Sequence, residues 1–189
     1  MKSADPAAAR KGRIYLVLIA LVFVAPAIVA GLLSLTGWQP EAKGHGEPIL
    51  PQRNFVDEKL DVKLDDGTVY AWRDSEPRLT LIALAGPDCS KQCLSVLTSM
   101  AAARITLGRT QTRLRLLYLG TPPVGNEADG MRDYWRLGCD VDGKLAGFRP
   151  TGSDSVSAIL VESNGTALAL YPAGFDPSGL RRDLQKVVK

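Results

Sequence analysis

From Ile14 to Leu35 the chain runs 22 residues without a charge, IYLVLIALVFVAPAIVAGLLSL. As a helix rising 1.5 Å per residue it would extend about 33 Å, enough to cross a hydrocarbon layer of about 30 Å. A secretory signal peptide is the competing reading, but its apolar core is normally about 7–15 residues long and ends at a small-residue cleavage site. The run here is longer, and only Ala27–Ala30 offers a weak site of that kind. Length therefore favours an uncleaved membrane helix over residues 14–36, preceded by a tail of residues 1–13. Pro26 is tolerated mid-span when the carbonyl it frees finds another partner. Trp38 falls where an indole suits the headgroup region.

Charge orients this segment. The tail holds Lys2, Arg10, Lys11 and Arg13 against Asp5, which accounts for the whole net charge of +3, and Glu41 and Lys43 cancel beyond the span. The positive-inside rule then keeps the tail in the cytoplasm and puts residues 37–189 on the far side. In a bacterium this describes a single-pass inner-membrane protein with a periplasmic domain, in a compartment where cysteine pairs persist as disulfides or cycle. The exported part is neutral, which argues against nucleic acid as a partner, since phosphate binding needs a basic face. A single His excludes a His-rich metal site, and three Cys are too few for a disulfide scaffold.

Residues 37–55, GWQPEAKGHGEPILPQRNF, have the Gly/Pro content of an extended tether, leaving residues 56–189 as the globular domain. Phe55–Leu64 and Val69–Trp72 flank Asp65-Asp66-Gly67 as a hairpin. The continuous apolar run Leu79–Ala85 predicts a strand buried on both faces. A helix is predicted from about Ser90 to Gly108, with Leu94, Leu97, Ala101 and Ile105 at helical spacing. Then come a strand at Arg113–Leu119, a helix over Ala128–Leu137, and a hairpin of Val156–Glu162 and Thr166–Tyr171 around Asn164-Gly165. A last helix at Gly179–Val188 is opened by Asp176-Pro177-Ser178. This order implies an α/β domain whose mixed sheet is covered on both faces.

Cys89 and Cys93 stand where the buried strand hands over to the first long helix. Unpaired N–H groups and the helix dipole favour negative charge there, and Lys91 adds a positive neighbour, so a thiol is activated as thiolate. Thiolates attack disulfides and also bind soft metals such as Cu(I). Four residues apart on a regular helix, the two Cβ atoms would be about 5–6 Å apart, beyond disulfide reach. With Cys89 in the loop before the helix, a modest backbone adjustment closes the bond. Two buried core cysteines or a static disulfide are the alternatives.

The strand–loop–helix LTLIALAGPDCSKQC, the hairpin ILVESNGTALALY and the C-terminal helix resemble the Sco-type (Sco/SenC) cytochrome c oxidase assembly proteins. The likeness is closer to a Sco-like subgroup encoded beside bacterial cytochrome oxidase genes, through HGEPILP, MAAARITLG and YPAGFDPSGLRRDLQKVVK, and covers about Arg10 to Lys189. It implies a membrane-anchored thioredoxin-like domain, cytochrome c oxidase subunits as partners, and Cys89 and Cys93 as the working pair. That pair would perform thiol–disulfide chemistry or transiently hold Cu(I); no cofactor is otherwise required. A non-catalytic accessory subunit with a structural disulfide is the alternative. Sco proteins complete a copper site with a His about eleven residues before the turn glycine of the last hairpin. Counted back from Gly165, this chain has Ser153-Asp154-Ser155 there, and Asp154, a hard oxygen donor, substitutes poorly for Cu(I).

Among other residues, His45 reads as a solvated linker side chain or a movable third ligand. Cys139 reads as a buried small side chain, or as a thiol that pairs with another chain. Asp61, Asp65 and Asp66 lack calcium-loop spacing and form a solvated turn. Arg104, Arg109, Arg113 and Arg115 read as a solvated helix end and strand edge rather than a docking stripe. Trp72, Tyr134 and Trp135 are expected on the core. No Ser/His/Asp set, P-loop or dinucleotide fingerprint is present.

Overall fold

The computed structural model describes residues 19–29, 31–32, 44–122 and 130–188. The chain divides into two units, Met1–Glu41 and Ala42–Lys189. In the first, residues 19–29 and 31–32 are helical, and the side chains of Ile19, Val22, Phe23 and Leu32 are exposed. Among the described residues no helix is long and apolar enough to cross a membrane. The expected span over 14–36 lies partly outside them.

The second unit is one seven-stranded mixed sheet. Its strands are β1 (Glu47–Pro48), β2 (Val62–Leu64), β3 (Leu79–Ala85), β4 (Leu114–Leu119), β5 (Arg136–Asp140), β6 (Val156–Val161) and β7 (Ala167–Tyr171), in the spatial order β1-β7-β6-β3-β4-β5-β2. The two long helices are α1 (Lys91–Ile105) and α2 (Pro177–Val187). β3, at the centre, pairs parallel with β4 and antiparallel with β6. Six of its seven residues are buried, as the apolar run predicts. Because side chains alternate along a strand, Leu81 and Ala83 face one core and Ile82 and Leu84 the other.

The two faces are covered differently. Both long helices pack on the first, where Leu97, Met100, Leu180 and Leu184 join Leu81 and Tyr118. The second is closed by Phe55, Leu60, Tyr70, Trp72 and Leu145 from irregular segments. Trp72 meets Phe55 and Tyr70 edge to face, and its indole N–H donates to the Leu60 carbonyl at 2.7 Å. Trp135 is buried as expected, whereas Tyr134 is exposed.

Three local expectations change. The predicted helix Ala128–Leu137 is helical only at residues 130–132 within the described part, and its end belongs to β5, which pairs with β4 and β2. Val69–Trp72 forms no strand. A single bridge, Lys63↔Val69, marks the hairpin, closed by Gly67 at φ +83. Residues 44–55, taken as tether, are built into the domain. Glu47 and Pro48 pair with Leu170 and Ala169 of β7, and Phe55 is fully buried.

Candidate functional site

β3 ends at Ala85, and the chain turns at Gly86 because nothing larger fits. A Cβ there would overlap the Gly152 carbonyl oxygen, while the Gly86 N–H donates to the Ser155 carbonyl at 2.9 Å. This contact follows from register. Ala85 lies opposite Val156 in the antiparallel β3/β6 pair, so the exit from β3 and the approach to β6 meet at one end of the sheet.

Cys89 lies in the loop, two residues before α1, and Cys93 in its first turn. They form a disulfide with Cα atoms 5.1 Å apart, within the distance such bonds use. Placing Cys89 outside the helix achieves this, as the sequence argument required. The two residues are unequal: Cys93 is fully buried in the first core, whereas Cys89 packs against it and is partly exposed.

Asp154 is a partner of the pair that the local sequence around the cysteines does not reveal. Ser90 occupies the N-cap of α1 without capping it through its side chain. The Asp154 carboxylate does so instead, accepting from the N–H groups of Ser90 at 2.8 Å, Gln92 at 2.9 Å and Cys93 at 2.9 Å. The Asp154 N–H in turn donates to the Asp88 carbonyl at 2.9 Å. The N–H of Cys93, with the Ser90 side chain and the N–H of Gln92, holds the Asp154 carboxyl far below the usual carboxylate range. The helix N-terminus expected to activate the thiol thus already serves a fixed anion. The only sequence signal was Asp154's place in the motif position where Sco proteins carry His.

The remaining candidates lie elsewhere. His45 is exposed, as a linker residue would be, but it is tied to α2 rather than free, and it is not placed as a ligand to the pair. Its N–H and Nδ1 engage the buried Asp183 carboxylate of α2, and its Nε2 is 3.2 Å from the Arg182 guanidinium. Its ring lies over Gly179, where a Cβ would come within 2.6 Å of it. Burial pushes the Asp183 carboxyl up, but donors from His45 and Gly46 outweigh it and the net shift is downward. Cys139 is a free, exposed thiol rather than a buried one, because it lies just beyond the last β4–β5 partner pair, Leu119↔Gly138. Asp66 caps its own turn through Thr68. Arg104 donates to the Gln111 and Leu114 carbonyls and Arg115 pairs with Asp74, so neither joins a free basic stripe.

No group of three or more His, Cys, Asp or Glu side chains suited to a metal ion is found among the described residues. Asp154 has its carboxylate turned to the backbone. With no third soft donor beside the two sulfurs among the described residues, the residues present do not fit a Sco-type copper centre.

No protein-family model matches the chain, and no curated protein does. Solved structures do. The apo Sco1 protein of Thermus thermophilus is 14% identical, the match covering 79% of this chain and 96% of that one with a TM-score of 0.50. The bacterioferritin comigratory protein of Xanthomonas campestris, studied for alkyl peroxide reduction, is 15% identical over 77% of this chain and 98% of its own, with the same score. AhpC of Enterococcus faecalis is 14% identical, with 75% and 90% covered and a TM-score of 0.50. At these identities the likeness speaks for the fold: the domain is a thioredoxin-like α/β fold with a mixed central sheet, as the sequence resemblance implied.

Proposed function

We propose that this chain is a membrane-anchored, periplasmic thiol–disulfide protein that assists assembly of a cytochrome c oxidase, with Cys89 and Cys93 as its working pair. The observation that carries the reading is the disulfide at the start of α1, with Cys93 fully buried and Cys89 partly exposed. That asymmetry suits an attacking thiol and a resolving thiol. In the reduced protein the Cys89 thiolate attacks a partner disulfide. A mixed disulfide forms, and the partner's other sulfur leaves and takes a proton. Cys93 then gives up its proton and attacks the Cys89 sulfur, releasing the second partner thiol and closing the 89–93 bond. Two electrons pass to the partner, and a dithiol donor must return them. Supporting the anchor are the uncharged run of the sequence and the exposed apolar side chains of the helical residues 19–29 and 31–32. The oxidase as partner rests on the resemblance. Among the described residues no third soft donor stands beside the two sulfurs, which leaves thiol–disulfide exchange as the pair's role.

The full burial of Cys93 and the cap by Asp154 favour a second reading, a docking subunit whose disulfide is structural. Thiol labelling of the full chain at controlled potential separates the two. A pair that exchanges electrons above about −300 mV supports the redox role, and one that stays oxidised below that value behaves as a structural bond. Under the second reading, the anchored protein with both cysteines changed to Ser still brings oxidase subunits with it on purification.

A further inference from the structure

We infer that Asp154 is a positioning residue that holds the Cys89–Cys93 couple toward its disulfide form and so makes the reduced pair a stronger electron donor. The inference rests on the thiol–disulfide reading and goes beyond it, since Asp154 stands 61 positions from Cys93 and belongs to a different loop.

Three observations carry it. Asp154 takes the N–H groups of Ser90, Gln92 and Cys93, the donors that a thiolate at this helix start would otherwise use. It brings a fixed negative charge to the end of α1 where the sulfurs sit, which opposes a second negative charge on either sulfur. Its position is built rather than incidental. Asp154 adopts φ +54, its N–H is tied to the Asp88 carbonyl, and the tight packing of Gly86 on Gly152 holds the two loops together.

Opening the disulfide adds two electrons and two protons and leaves two thiols. Stabilising a thiolate draws the couple toward the reduced side, as in strongly oxidising helix-start pairs. A carboxylate in the thiolate's place does the reverse. The charged side chains nearest the pair in sequence, Asp88 and Lys91, are of opposite sign, while Asp154 is the charge that hydrogen bonds hold against the helix N–H groups.

The test uses the full chain in detergent, equilibrated in dithiothreitol redox buffers and scored by thiol labelling. Asp154→Asn keeps an acceptor for the helix N–H groups, and Asn tolerates positive φ, so it removes the charge with little else. Asp154→Glu keeps the charge but, with one more methylene at φ +54, fits the loop less well, so it controls for disturbance of the fit. Asn should shift the equilibrium about tenfold toward the dithiol, a midpoint about 30 mV higher for this two-electron couple, and Cys89 should alkylate faster. Glu should stay near the wild type. At 1 M salt, which screens a partly exposed charge, the gap between wild type and Asn should narrow. In the wild type alone the midpoint should rise at 1 M salt, an arm that needs no variant to fold. An unchanged midpoint in folded Asp154→Asn, or a gap indifferent to salt, overturns the inference. A wild-type midpoint in the structural range retires the functional reading instead and leaves the difference between the two midpoints to judge Asp154.

Discussion

Reducing the Cys89–Cys93 bond removes no atom from the core, so its effect on stability can be worked out directly. The bond joins residues at a sequence separation of 4. The chain-entropy relation for so short a loop gives about 7 cal/mol/K, or about 2 kcal/mol at 25 °C, against about 4.7 for a loop of 100 residues. For a folded unit of this size that lowers Tm by roughly 4–8 °C. It also moves the urea midpoint down by about 1 M, taking m near 2 kcal/mol/M. Linkage requires the same energy to favour the disulfide in the folded protein. Its potential should then lie about 40 mV below that of the same pair in the unfolded chain. The assay is paired urea unfolding of the oxidised and reduced full chain, Cys139 blocked in both, beside a redox titration in high urea. A reduced protein that is unfolded at 25 °C, or that loses more than about 4 kcal/mol, would make the bond a structural staple and refute the reasoning. A loss near 2 kcal/mol means the pair can open and close while the domain stays folded, as redox cycling requires.

Other outcomes follow from the same geometry. Gly86→Ala sets a Cβ against the Gly152 carbonyl and should lower stability by about 1–3 kcal/mol in urea unfolding, raising the redox midpoint as Asp154 is displaced. Met100→Ala empties a fully buried site between α1 and the sheet and should cost about 2–5 kcal/mol without moving the midpoint. Asp183→Ala removes the acceptor of the His45 and Gly46 N–H groups and of the Tyr171 hydroxyl, so amide exchange should quicken over residues 44–48 and little elsewhere. Asp154, Asp183 and Glu58 all have native pKa values below their ordinary ones. Such groups contribute stability that is fully present above the unfolded pKa and lost as pH falls through the native one. The urea midpoint should therefore hold from pH 7 to about 5 and fall below about 4, with a shallower fall in Asp183→Asn.

What could be read from the chain alone were features whose cause is local. Leu79–Ala85 is a central strand because seven consecutive residues have no polar face to present. Gly165 turns the last hairpin because its φ of +89 is open to Gly. Asp176 starts α2 because its carboxylate reaches the N–H groups two and three residues on. The cysteine pair was legible as well, since its place depends only on where β3 stops and α1 begins. β5 was not: Arg-Leu-Gly-Cys-Asp carries little strand signal, and its pairing comes from β4 and β2 on either side. Nor was the fate of residues 44–55, whose Gly/Pro composition suits a tether until β7 and Asp183 supply partners. Asp154 shows the divide most plainly. The β3/β6 register, set by two buried faces at once, carries it to a helix start 61 residues away. Residue order along the chain therefore identified the sulfurs, and only the closed sheet decided which charge stands beside them.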